Sequence, residues 1–233
     1  MASTDYTLYY NTWSVYSQMV LLTFAFRGQP KDAQTEMAIK KQEVDIFKGA
    51  QVEEVPVLTN SHVLPKPIAD SLDITYHIAK HYPSLLPEEK KHEIIELLRK
   101  PAEAYAQKAA VEAKIAQPGI SERYRKALEF KMTIVQNEKI NGVTPTEIET
   151  QKRNTTTVLD KIVKLYDSAS GPWLWGRTSP TALDVHLAIF LARLHDVGHA
   201  VLVPEPLVAF YHMTRETKEW GNVYQGRKTI IGV

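Results

Sequence analysis

Three short stretches carry residue types and spacings that could do chemistry. Val55-Pro56 lies inside the strand-like run Glu54-Val55-Pro56-Val57-Leu58. Proline has no N–H to give to a sheet ladder, so the run ends pairing on that side and leaves an edge for an extended peptide. A cis bond is predicted here, turning the Val55 N–H and C=O outward as a miniature strand-addition site. Fifteen residues on, Asp70-Ser71 opens a helical pattern. It offers a short acid, a hydroxyl and the free N–H groups of a helix start. The third stretch, Asn11 to Ser17, joins a first strand to a first helix. A hydroxyl there sits at a positive helix end and can donate to a thiolate, lowering a thiol's pKa from about 8.5 toward neutrality. Ser14 is the leading candidate; Tyr9, Tyr10, Asn11 and Ser17 stay open as alternatives.

Whatever thiol is activated must arrive with a ligand, because the chain has no cysteine. That excludes disulfides, thiolate zinc sites and a cysteine nucleophile. A net charge of +1 favours neither nucleic acid nor an anionic membrane. The longest strongly apolar stretch, Val185 to Leu194 with an Arg inside it, is too short to span a bilayer. No secretory signal and no lipidation signal is read at the termini, so the cytoplasm is the expected location. His77/His81 and His195/His199 have i, i+4 spacing, but no third ligand accompanies either, and no metal site is expected.

The elements that must position these residues read as follows. Residues 6–10 form a strand, and Met19 to Ala25 an apolar helix stopping near Gly28. A second strand is expected over 33–39 and a short polar helix over Lys40 to Lys48. Val55–Leu58 is a strand with a hairpin partner starting at Val63-Leu64, and Ser71 to His81 is a helix with Leu72, Ile74, Tyr76, Ile78 and Ala79 mostly inward. After Pro83 and Pro87 the chain reads as helical over 88–116, 121–138, 146–168, 181–195 and 205–220, broken at Pro118-Gly119, at Asn141-Gly142 with Pro145, at Gly171-Pro172 and at Pro204 with Pro206. With 233 residues, 44% of them hydrophobic and 24% charged, the composition is that of a globular protein, and the length suits two small cores.

The string Val55-Pro56-Val57-Leu58, followed by Ile68-Ala69-Asp70-Ser71-Leu72-Asp73-Ile74, resembles the glutathione-site core of the cytosolic glutathione transferases. Asp70 stands where that family usually has Glu or Gln. Leu8-Tyr9-Tyr10 with Ser14-Val15-Tyr16-Ser17 resembles their catalytic loop. Gly176-Arg177 with Thr181-Ala182-Leu183-Asp184-Val185 resembles the capping box before their buried core helix. The resemblance spans about residues 6–200, with the three matches in order. It implies an α/β thioredoxin-like N-terminal domain over 4–84, an all-α C-terminal domain over 88–228 and a homodimer.

The resemblance also implies site roles. Val55 and Pro56 would present the edge that pairs with the cysteinyl backbone of glutathione, Asp70 and Ser71 would hold its γ-glutamyl end, and Lys41 or Gln42 would sit near its glycyl carboxylate. Ser14 matches the activating position. A small-molecule electrophile would lie against Tyr10, Trp13 and Tyr105. The expected activity is addition of the glutathione thiolate to an apolar electrophile, as transferase or as cis–trans isomerase through a reversible adduct. The alternative is a non-catalytic ligand carrier or docking domain. Two departures from the family pattern stand out: Ala50-Gln51-Val52-Glu53-Glu54 replaces the usual lead-in to the proline, and Leu64-Pro65-Lys66-Pro67 lengthens the hairpin. This altered rim resembles divergent fungal members, some of which serve secondary-metabolite pathways. Asp184 is read as structural, bonding backbone N–H groups at the start of its helix.

Overall fold

The computed structural model describes residues 5–32, 35–44, 55–60, 62–98 and 145–230, with isolated helical positions at 122, 125, 126, 129 and 133. The first strand, β1 (Asp5–Tyr10), alternates as the aromatic and β-branched pattern requires, burying Tyr6 and Leu8. Among the described residues it is the middle strand of three, in the order β2-β1-β3. Strand β2 (Ala38–Glu43) runs parallel to it, with Leu8 opposite Lys41 and Tyr10 opposite Glu43. Strand β3 (Val57–Thr59) runs antiparallel, with Leu8 opposite Leu58. Helix α1 (Val15–Ala25) makes the crossover that a parallel β1–β2 pair needs. It stops before Gly28, whose φ of +72° suits glycine and whose Cβ, if it had one, would meet the Ser84 hydroxyl at 2.8 Å.

Helix α2 (Ser71–His81) follows the sequence reading from end to end, burying Ser71, Ile74, Thr75, Ile78 and Ala79 against α1 and β3. The hairpin partner of β3 differs from expectation. Asn60 turns the chain through its side-chain oxygen, accepting from the N–H groups of His62 and Val63, so 63 and 64 belong to the turn. It is Ile68 that bridges Leu58, exchanging bonds of 2.8 and 2.9 Å. β2 also departs: residues 40–43 are strand rather than the start of a polar helix, while 45–48 lie outside the described residues.

The remaining described elements are helices. After a turn of 3₁₀ helix at Glu88–Lys90 comes α3 (Lys91–Leu98). Then follow α4 (Pro145–Val163), α5 (Ala182–Asp196), α6 (Glu205–Arg215) and α7 (Lys218–Tyr224). Pro145, expected in the break before this helix, is its first residue, where no N–H partner is needed. The expected helix over 205–220 is two, divided at Thr217, whose hydroxyl caps α7 by accepting from the Trp220 N–H. The expected 146–168 helix stops at Val163. Within the expected helix over 121–138 the described positions 122, 125, 126, 129 and 133 are helical, the others lying outside the described residues, as does the 88–116 expectation beyond Leu98.

Helix α5 is the centre of the helical part and is buried on nearly every side, from Ala182 to Leu194. It packs on α1, α3 and α6, and α7 packs on α1. One hydrophobic cluster therefore runs from Tyr6 and Leu8 of the sheet to Phe210 and Trp220, in place of two small cores. Phe26 meets Trp173 edge-on at 5.4 Å, and Trp173 meets Phe210 at 5.9 Å. At the α2–α5 contact, Thr75 Oγ1 and His186 Nε2 are 3.2 Å apart and buried. A thioredoxin-like N-terminal region and a helical C-terminal part thus make up the fold.

Candidate active site

The two ladders of β3 set the geometry. β1 pairs with it so that Tyr9 faces Val57, and Ile68 pairs with it across from Leu58. Carried on toward the N-terminal end of β3, these registers bring the Asn11 loop, Val55-Pro56 and Asp70-Ser71 side by side at one end of the sheet. The Val55-Pro56 bond is cis, as the sequence reading has it. Val55 is half-buried and Pro56 buried.

Two helices start at that end. Ser14 is the N-cap of α1 in extended conformation, its Oγ accepting from the Ser17 N–H at 3.3 Å. An accepting hydroxyl still has a proton to donate. Asp70 is the N-cap of α2, with Oδ1 accepting from the N–H groups of Leu72 (2.8 Å) and Asp73 (3.2 Å). Asp70 is exposed, whereas Ser71 is buried in the first turn. The positive ends of two helix dipoles therefore face one region, where a negative group is stabilised.

The loop between β1 and α1 is held from several directions. Asn11 accepts from the Trp13 N–H through Oδ1 at 3.0 Å and donates through Nδ2 to the Val44 carbonyl at 3.2 Å. Its own N–H donates to Ser17 Oγ at 3.2 Å. Both ends of the Asn11 side chain are thus engaged, and Ser17 is fully buried with its oxygen turned to the loop backbone. Tyr10 has its phenol pushed up by burial, then by Glu43, with Arg227 pulling the other way. A phenol so shifted donates hydrogen bonds and is a poorer base.

Lys41 and Gln42 are consecutive on β2 and so point to opposite faces. Lys41 lines a cavity of about 180 Å³ together with Tyr10, Thr12, Gln18 and the chain after α7. Its ammonium is pulled down by burial and by the charge of Arg27. Tyr10 lines this cavity; Trp13, half-buried in the loop, is not among its walls, and Tyr105 lies outside the described residues.

A tether that the sequence reading missed joins the loop to the chain's last described residues. Gln18 Nε2 donates to the Thr12 carbonyl (2.9 Å) and to the Thr229 carbonyl (2.8 Å). Arg193 does the same one residue on, donating to Thr229 O through Nη1 (2.8 Å) and to Trp13 O through Nη2 (3.5 Å). Asp196 Oδ2 accepts from both the N–H and the hydroxyl of Thr229, each at 2.7 Å. The available signal was polarity out of place: Gln18 precedes the apolar run of α1 yet is 2% exposed, and Arg193 interrupts the apolar run of α5.

Asp184 has the structural geometry expected. Oδ2 accepts from the Thr181 N–H (2.8 Å) and hydroxyl (2.6 Å), Oδ1 accepts from the Leu174 N–H (2.8 Å), and the Asp184 N–H completes the capping box on Thr181 Oγ1. Burial pushes its carboxyl up and these donors oppose that. The histidine pairs have other partners. His77 meets the Tyr6 hydroxyl, His81 meets the Thr35 carbonyl, and His195 lies against the Tyr211 ring. Among the described residues no group of three metal-binding side chains occurs. Nor is any helix among them long and apolar enough to cross a membrane.

No protein-family model matches the chain, and no curated protein matches it significantly. Solved structures do resemble it in fold. Maleylacetoacetate isomerase from Anaeromyxobacter dehalogenans 2CP-1, solved with dicarboxyethyl glutathione and citrate in its active site, is 16% identical with a TM-score of 0.58, over 96% of this chain and 92% of that one. Glutathione transferase F7 from Populus trichocarpa is 17% identical with a TM-score of 0.56, over 94% of this chain and 97% of that one. A glutathione S-transferase III in its apo form is also 17% identical, with a TM-score of 0.56 over 94% and 95% of the two chains. The fold is that of the glutathione transferases.

Proposed function

We propose that this protein is a glutathione-dependent enzyme in which the tripeptide lies across the end of the sheet where α1 and α2 begin. What supports the reading is the pair of registers on β3, which run toward Val55 from the Asn11 loop on one side and from Asp70-Ser71 on the other. Val55 would bond the cysteinyl backbone beside Pro56. Asp70 and Ser71 would take the γ-glutamyl end, and the glycyl carboxylate would extend toward β2, where Lys41 and Gln42 stand. Ser14 would donate its hydroxyl proton to the sulfur, with the α1 dipole adding to the stabilisation of the thiolate.

The chemistry follows from that thiolate. The thiol proton goes to solvent, and the sulfur forms a bond to an electrophilic carbon of the second substrate. If a leaving group then departs with its electron pair, the product is a conjugate. If the adduct rotates about the attacked bond and expels the sulfur, the product is a geometric isomer and glutathione is recovered. We read the protein further as a divergent, fungal-type member serving a secondary-metabolite pathway, in the cytoplasm and as a homodimer. The rim residues Leu64-Pro65-Lys66-Pro67 support that part of the reading.

Calorimetric titration of glutathione into the wild type and Ser71→Ala, with thiolate absorbance followed against pH in the wild type and Ser14→Ala, tests the proposal. The wild type is expected to bind and to ionise the thiol near neutrality. Ser71→Ala should weaken binding about tenfold, and Ser14→Ala should raise the bound thiol's pKa by about one unit, the worth of one charge-assisted hydrogen bond. No heat with the wild type would leave a carrier or docking protein instead.

A further inference from the structure

The cavity of about 180 Å³ beside the loop has a wall of strap residues that the glutathione reading does not use. Three of its lining residues are cationic, namely Lys41 on β2 and Arg227 and Lys228 in the strap after α7, and none of its described lining residues is acidic. The nearby Glu43 carboxylate is bonded to the Thr12 hydroxyl, and Glu43 and Arg227 act on the Tyr10 phenol in opposite senses. The strap is fixed: Gln225 and Gly226 turn at φ of 50° and 78°, and Thr229 is anchored by Gln18, Arg193 and Asp196. Arg227 also bonds the last carbonyls of α7 through Nε and Nη2, at 3.0 and 3.2 Å. The strap and the Arg227 guanidinium are therefore held against a cavity next to the loop, and the Lys41 ammonium, pulled down by burial and by Arg27, would be relieved by an anion. The volume is below the roughly 300 Å³ of a site that takes in a whole drug-sized ligand, so it suits one charged end of a ligand.

We propose that this cavity is a carboxylate site for the second substrate, in which Arg227 and Lys228 face the anion while Tyr10 and Leu21 supply the flat, apolar wall. Naming the ligand as the electrophile rests on the glutathione-dependent reading above; the anion site itself does not. The substrate class that follows is a carboxylated electrophile with an aromatic or conjugated body.

The test uses the whole chain and two matched probes, 4-nitrobenzoate and its neutral amide, titrated by tryptophan fluorescence. The wild type is expected to bind the carboxylate about fivefold or more tightly than the amide, and less so at high salt. Arg227→Gln with Lys228→Gln should remove that preference; thermal midpoints check that α7 and the strap remain folded. With glutathione, 4-chloro-3-nitrobenzoate and the corresponding amide read the reaction: the carbon–sulfur bond forms, the carbon–chlorine bond breaks and chloride leaves. The double variant should lose kcat/KM for the acid and keep it for the amide. Equal affinity of the wild type for the two nitrobenzene probes, or a preference that survives in the double variant, overturns the proposal. If the double variant instead binds glutathione more weakly but γ-glutamylcysteine equally well, the anion is the glycyl carboxylate and the assignment to the second substrate is overturned. A preserved preference for nitrobenzoate with no glutathione binding would keep the anion site and sink the glutathione reading.

Discussion

His186 shows how one side chain ties packing to pH. It is wholly enclosed between α2 and α5, with Thr75 as its hydrogen-bond partner, and burial pulls its pKa from 6.5 to about 4. The unfolded chain takes up a proton near 6.5 that the folded chain refuses until about 4. Stability from this group is therefore fully present above 6.5 and is lost as pH falls through that window, on the order of 3 kcal/mol in all. His186→Gln, which keeps a hydrogen-bonding end for Thr75, should flatten the fall in denaturant midpoint between pH 7 and pH 5. An unchanged slope would show that the pH dependence lies elsewhere, for instance in half-buried His77, which burial and His81 also pull to about 4.

At the scale of elements, the start of α5 is the feature most open to a direct test. Its capping box joins Thr181 to Asp184, and the second oxygen of that carboxylate reaches out to the Leu174 N–H at 2.8 Å, fastening the preceding turn to the helix. Asp184→Ala would leave two buried N–H groups without an acceptor, at a cost of about 2–4 kcal/mol. Asp184→Asn, which retains one acceptor oxygen, should cost less. Equilibrium unfolding measures both, and the glutathione affinity of the folded variants should stay as in the wild type. Loss of that affinity at full stability would contradict the structural role.

The same scale shows why some elements are legible in a sequence and others are not. α2 is delimited by side-chain signals, with Asp70 capping its start, Lys80 and His81 in its last turn and Pro83 beyond. β2 has no such signal. Its residues Ala-Ile-Lys-Lys-Gln-Glu are almost all exposed, and only backbone pairing to β1 makes them a strand, so from Lys40 onward the pattern reads as a polar helix although 38 and 39 read as strand. The division of α6 from α7 rests on one threonine hydroxyl without a glycine or proline beside it.

Over the whole molecule, one hydrophobic cluster crosses from the sheet to the helical part. The two parts should therefore unfold together. Denaturation followed by far-ultraviolet circular dichroism and by the fluorescence of Trp13, Trp173, Trp175 and Trp220 should give coincident curves. A distinct earlier transition in one signal would show that the parts melt separately. The candidate site was largely readable because its members cluster in short motifs: Ser14 within the loop, Val55-Pro56 within one strand, Asp70-Ser71 at one helix start. The tether was not readable, because Gln18 and Thr229 lie 211 positions apart and meet only in the folded chain.

That tether works mainly through a main-chain oxygen. Gln18 and Arg193 both grip the carbonyl of Thr229, which every amino acid possesses. An alanine scan of the tail would pass over it, reporting at most the hydroxyl that Asp196 receives. A single residue inserted between Gln225 and Thr229 would keep every side chain yet draw that oxygen out of reach, so here the spacing of the tail matters more than its spelling.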